Sequence, residues 1–120
     1  MATILIVDIR PVDRQLFVTL LASYGHRLLE AGDGDEALEL AKVELPDLVI
    51  TDIVMPEMTG LELLLELTRN FLNVKVIAMS GGPEGEGGLT AAKLLGARQT
   101  FQKPLDMEEL LSAVRYDLAH

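Results

Sequence analysis

Short apolar runs alternate with segments of helical period along the whole chain. The runs are Ile4–Val7, a pair at Leu28–Leu29, Leu48–Ile50, Val74–Met79 and a weak one around Phe101. Within each run the apolar residues are contiguous rather than alternating, as in strands buried on both faces. Between the runs, apolar residues recur three and four apart. Leu16, Phe17, Leu20 and Leu21 form one stripe after Pro11, a residue suited to the first helical position. Leu64, Leu67 and Phe71 form another, with Thr59 as its cap. Met107, Leu110, Leu111, Val114 and Leu118 form the last. The order βαβαβαβαβα predicts an α/β fold: a parallel sheet with helices on both faces and right-handed crossovers. At 120 residues this suits a flavodoxin-like doubly wound five-stranded sheet of order 2-1-3-4-5, with one domain over residues 1–120. One stretch departs from the alternation: SGGPEGEGG, Ser80 to Gly88, reads as a mobile loop.

In open sheets of this kind ligands sit at the carboxyl ends of the strands, beside the switch between strands 1 and 3. Strand 1 ends at Asp8, strand 3 at Asp52, strand 4 at Ser80, and strand 5 at Lys103 before Pro104. Two acids, a hydroxyl and an amine therefore converge. Close carboxylates repel, which raises the pKa of one unless a cation intervenes. Lys103 supplies one positive charge, and Mg²⁺ could supply more through one or two carboxylates, waters and phosphate oxygens. A carboxylate so held can attack phosphorus and carry a phosphoryl group. Blander readings exist for each residue: Asp52 as a turn or cap, Asp8 as an acid satisfied by backbone amides, Lys103 as an exposed lysine, Ser80 as a loop hydroxyl. Asp13, in the first predicted helical turn, is read as a helix-dipole acid. His26 and His120 are read as surface residues, and the Leu61–Leu67 run as core packing.

The formal net charge of −9 includes no basic stripe, which disfavours direct nucleic-acid binding. There is no cysteine, hence no disulfide or thiolate site. No apolar run is long enough for a membrane span and no leader pattern opens the chain, so a cytoplasmic protein is expected.

The chain resembles a response-regulator receiver domain of two-component signalling over essentially its whole length. The resemblance rests on ILIVD at the first strand, LVITDIVMPEMTGLELL around Asp52, VIAMSGG at the fourth strand and LGARQTFQKP before the last helix. It implies that Asp52 is the phosphoacceptor, receiving its group from a phosphohistidine of a sensor kinase or phosphotransfer protein. It implies Mg²⁺ held by Asp8, Asp52 and the Val54 backbone carbonyl, with Lys103 on the phosphate and Ser80 moving toward it on activation. Phosphorylation would switch affinity for an unnamed output partner, and the output face could also carry a homodimer. Such a domain promotes its own phosphorylation and is not a conventional enzyme.

Three positions depart from that pattern. Receivers place two adjacent acids at the end of strand 1, but here Asp8 is followed by Ile9. The missing acid is the direct metal ligand, so weaker Mg²⁺ binding is expected. Thr100 stands where many receivers carry an aromatic switch, and Phe101, one position on, should face the opposite side of the sheet. Val54 cannot orient a water on the acceptor, which predicts a slowly decaying phosphoaspartate. Ile9 and Thr100 also support a second reading, a phosphorylation-independent pseudo-receiver acting as an interaction module. An aspartyl-phosphate phosphatase would want an acid where Val54 stands. Whether the chain is a stand-alone regulator or part of a hybrid kinase stays open.

Overall fold

The computed structural model describes residues 1–71, 73–81 and 85–120. Five strands and five helices alternate: β1 Thr3–Val7, α1 Pro11–Ala22, β2 Arg27–Ala31, α2 Gly34–Glu44, β3 Leu48–Asp52, α3 Gly60–Asn70, β4 Lys75–Ser80, α4 Gly85–Leu94, β5 Gln99–Gln102 and α5 Met107–Ala119. The sheet is parallel, with strand order β2-β1-β3-β4-β5, as the alternation predicts. Strand period divides the core in two. Leu5, Val7, Val49, Val76 and Ala78 pack with Ala37 and Ala41 of α2, Leu63, Leu64 and Leu67 of α3, and Ala92 of α4. Ile4, Ile6, Leu48, Ile50, Ile77 and Met79 point the other way, onto Phe17 and Leu21 of α1 and Leu110 and Val114 of α5.

Local chemistry sets several boundaries. Pro11 opens α1, and Thr59 forms a capping box with Glu62 at the start of α3. Phe71 is the C-cap of α3, one residue past its end, and still packs against the cluster that Leu64 and Leu67 enter. The stripe predicted for α1 is narrower than expected: Phe17 and Leu21 are buried, but Leu16 is 54% exposed. The predicted loop over Ser80–Gly88 is partly regular structure, since Ser80 closes β4 and α4 begins at Gly85; residues 82–84 lie outside the described residues. Glycine is tolerated there because helix α4 closes tightly on the β3–α3 connection. A Cβ on Gly88 would fall 2.7 Å from Ile53 Cγ2. No described helix is long and apolar enough to cross a membrane.

Candidate functional site

Alternation along the strands aims the polar side chains as well as the apolar ones. Asp8 continues the phase of Ile4 and Ile6, Asp52 that of Leu48 and Ile50, and Lys103 that of Phe101. All three therefore reach the carboxyl rim on the α1/α5 side of the sheet. Asp8 and Lys103 lie one residue beyond β1 and β5, not within them. The Lys103 ammonium is the hub. It lies 2.8 Å from Asp8 Oδ2, 2.9 Å from Asp52 Oδ1 and 3.4 Å from Asp13 Oδ2. Asp8 is fully buried, and its second oxygen, Oδ1, accepts the Arg10 backbone N–H at 2.9 Å.

This crowding shifts proton affinities. Burial pushes the Asp52 carboxyl up from 3.8 to about 7, and the hydrogen bond and charge of Asp8 push the same way while Lys103 opposes them. Burial alone would lower the Lys103 ammonium, but its hydrogen bonds and charge interactions with Asp8 and Asp52 outweigh that and raise it. The pocket thus holds a proton-hungry carboxylate beside a firmly charged amine.

Ser80 belongs to the other phase, with Val76 and Ala78. Its hydroxyl is buried and, among the described residues, meets no hydrogen-bond partner. It nevertheless lines the same cleft of about 380 Å³ as Ile9, Arg10, Asp52, Val54, Gly81 and Lys103. Thr100 pairs with Ala78 and is half-buried, whereas Phe101 pairs with Met79 and packs into the α1/α5 core. The strand register is therefore unslipped, and Phe101 does not take the place of Thr100.

Asp13 contradicts its assignment as a helix-dipole acid alone. It does stand in the first turn of α1, but its carboxylate also joins the Lys103 cluster. Two further residues carry the site: Arg14, which no motif marked, and Gly60, which closes the DIVMPEMTG run that carries the resemblance. Arg14 donates from Nη1 to the Asp8 carbonyl at 2.7 Å and from Nε to Glu30 Oε1 at 3.2 Å, tying the β1–α1 turn to β2. Gly60 donates its N–H to the Ile53 carbonyl at 2.8 Å, and a Cβ there would lie 2.0 Å from the Asp52 carbonyl oxygen. Neither contact leaves a periodic trace in the sequence. Of the histidines, His120 is exposed and stacked on Tyr116, while His26 is half-buried and its Nδ1 accepts the Ala2 N–H.

Among the described residues no three His, Cys, Asp or Glu side chains are arranged to hold a metal ion. Both Asp8 oxygens already face protein donors, and Ile9 offers hydrocarbon, 44% exposed, where another oxygen could stand. The donors present, all hard oxygens, fit a mostly hydrated Mg²⁺ that uses few protein ligands. They do not fit a closed cage.

Comparisons with known proteins identify the family and the fold. The family model "Response regulator receiver domain" matches residues 4–115. The chain is 34% identical over 120 residues to Protein PilH of Pseudomonas aeruginosa, covering 99% of both chains. It is 35% identical over 112 residues to Sporulation initiation phosphotransferase F of Bacillus subtilis, covering 93% of this chain and 90% of that one. Among solved structures, the signal receiver domain of an HD domain-containing protein from Pseudomonas fluorescens superposes with a TM-score of 0.93 at 32% identity, over 99% of this chain and 95% of that one. The chain belongs to the response-regulator receiver domain family of two-component signalling.

Proposed function

We propose that Asp52 is the phosphoacceptor of this receiver, with Lys103 as phosphate partner and Ser80 as the hydroxyl that responds. Receivers are phosphorylation-dependent signalling modules that work with histidine kinases or phosphotransfer proteins, and they generally bind Mg²⁺ at their acidic pocket. In this reading an Asp52 oxygen forms the bond to phosphorus while the phosphorus–nitrogen bond of the donor phosphohistidine breaks, its electron pair returning to the ring. Lys103 neutralises charge that builds on the equatorial oxygens. Bound Mg²⁺ would add further charge neutralisation there, held by Asp52, the Val54 carbonyl and, through water, Asp8. Ile9 makes that ion weakly bound.

The observation that carries this reading is the convergence of Asp8 and Asp52 on the Lys103 ammonium from the ends of neighbouring strands. The unbonded Ser80 hydroxyl supports it too, since a buried donor without a partner has one to gain when a phosphoryl group arrives. Such a gain biases a pre-existing second arrangement of the rim and so changes affinity for an output partner or a second copy. The pseudo-receiver alternative is not favoured, because Asp52, Lys103 and Ser80 are all present.

The test is intact mass after incubation with acetyl phosphate, with and without Mg²⁺, on the wild type and Asp52→Asn. One phosphoryl adduct on the wild type that the variant lacks is expected, with half-saturation at high Mg²⁺. An unmodified wild type, folded by circular dichroism, would refute the assignment.

A further inference from the structure

Asp13 is the third residue of α1, a position from which an acid commonly folds back to accept the N–H of the capping residue. Here that donor is taken, because the Arg10 N–H serves Asp8 Oδ1. The Asp13 carboxylate instead sits 3.4 Å from Lys103 Nζ and 3.8 Å from Arg10 Nη1. The Lys103 side chain is 18% exposed and that of Asp13 31%, so their contact is partly screened from solvent rather than free on the surface. Lys103 is thus gripped by three carboxylates from three elements: one after β1, one ending β3 and one from α1. The strand-end position that could have carried another acid holds Ile9.

We propose that Asp13 is a positioning residue for Lys103, supplying from the first turn of α1 the third carboxylate that the strand end lacks. The need arises during the reaction itself. Once an Asp52 oxygen is bonded to phosphorus, that carboxylate has lost its own negative charge, and one of the three anchors of Lys103 changes character. Asp8 and Asp13 remain, on two sides of the ammonium, and keep it aimed at the phosphoryl oxygens. A long lysine stem loses rotamer freedom when it is fixed, and anchors present beforehand meet that cost before the donor arrives. The proposal rests on Asp52 as phosphoacceptor for its consequence, but the anchoring of Lys103 can be measured without any phosphoryl donor.

The experiment compares wild type, Asp13→Asn, Asp13→Glu, Ile9→Asp and the double variant Ile9→Asp/Asp13→Asn. The first readout is acylation of Lys103 by an N-hydroxysuccinimide acetate, followed by peptide mass spectrometry with Lys42 as internal reference. Asp13→Asn is expected to raise Lys103 reactivity about two- to fivefold, the factor that one partly exposed ion pair is worth. Asp13→Glu restores the wild-type rate, and with Ile9→Asp present the effect of Asp13→Asn shrinks below about twofold, because coupled positions are not additive. The second readout, phosphoryl uptake from acetyl phosphate, falls by a similar factor in Asp13→Asn and recovers in the Ile9→Asp background. A purely helix-stabilising Asp13 would leave Lys103 reactivity unmoved, or act equally in both backgrounds, and either result overturns the proposal. A wild type that takes up no phosphoryl group while Lys103 reactivity still responds to Asp13→Asn would sink the phosphoacceptor reading and uphold the anchoring.

Discussion

Gly60→Ala tests how tightly the acceptor strand is tied to the helix that follows it. The added Cβ would lie 2.0 Å from the Asp52 carbonyl oxygen and 2.6 Å from Ile53 Cα. Both are backbone atoms, so no rotamer change relieves the clash. Overpacking of this kind costs about 1–3 kcal/mol, and backbone contact places it at the upper end. Separating the two ends of the β3–α3 connection also weakens the Gly60 N–H to Ile53 carbonyl bond, worth about 1 kcal/mol. Alanine returns about 1 kcal/mol, since it is the better helix former and orders a less flexible unfolded chain. The net loss is about 3 kcal/mol, and at this chain length a Tm drop on the order of 10 °C. Urea unfolding read by circular dichroism measures the loss. Because the clash moves the peptide that carries Asp52, phosphoryl uptake should fall at least tenfold even at a temperature where the variant is fully folded, as small misplacements of a reacting group do. Gly81→Ala is the matched control. Its Cβ would lie 3.6 Å from Lys103 Cβ, an ordinary contact, and its stability should stay within about 0.5 kcal/mol. A Gly60→Ala protein with a Tm within about 2 °C of wild type and an unchanged uptake rate would refute the reasoning.

Three further outcomes follow from single side chains. Val54 is 54% exposed at the cleft and offers no hydrogen bond, so Val54→Asn should shorten the phosphoaspartate half-life about two- to tenfold, the worth of one oriented water contact; an equal or longer half-life would contradict it. Ser80→Ala removes a buried hydroxyl that meets no partner among the described residues, so urea unfolding should show no loss, or a gain of up to about 1 kcal/mol, while phosphorylation-dependent changes in amide chemical shifts around α4 shrink. Asp117 is buried in the stripe of α5, and among the described residues no donor meets either carboxylate oxygen in good hydrogen-bond geometry. Burial raises its pKa from 3.8, although Gln99, Arg98, Lys75 and His120 pull it back. The folded state therefore binds this proton more tightly than the unfolded state, and stability falls as pH rises above the ordinary carboxylate value of 3.8, until the folded-state group itself ionises. Asp117→Asn should be more stable than wild type at pH 7, with the gap closing near pH 4; a gap that does not change with pH would refute the assignment.

The strands were legible because burial on both faces leaves continuous apolar runs, and nothing else in the chain produces them. Helix α1 was less so, since its apolar residues outnumber the positions it buries: one side of the stripe meets the sheet at Phe17 and Leu21, and Leu16 is left beside Pro104 and Leu105 at a surface cleft. The start of α4 was hidden for the opposite reason. Glycines argue against a helix, and only the tertiary fit against Ile53, with Ala92 buried behind it, makes one.

Within the site, Asp8, Asp52 and Lys103 were legible because each interrupts an apolar strand at its end, where a polar residue needs a reason. Asp13 had a ready reason already, as an acid in a first helical turn, and that sufficient local account concealed a tertiary one. The two roles are separable in principle. A dipole contact depends only on the helix and is indifferent to Ile9, whereas an anchor on Lys103 depends on what else grips the ammonium. Asp117 presents the reverse case, an acid seven residues beyond Leu110 and so on the buried face, with no local reason to be there. Helical period placed it inside, charge alone would place it outside, and packing against β4 and β5 prevailed at the expense of its ionisation. Acids that break a pattern and acids that fit one too easily therefore need the same question asked of them: which cation, on which other element, stands within reach.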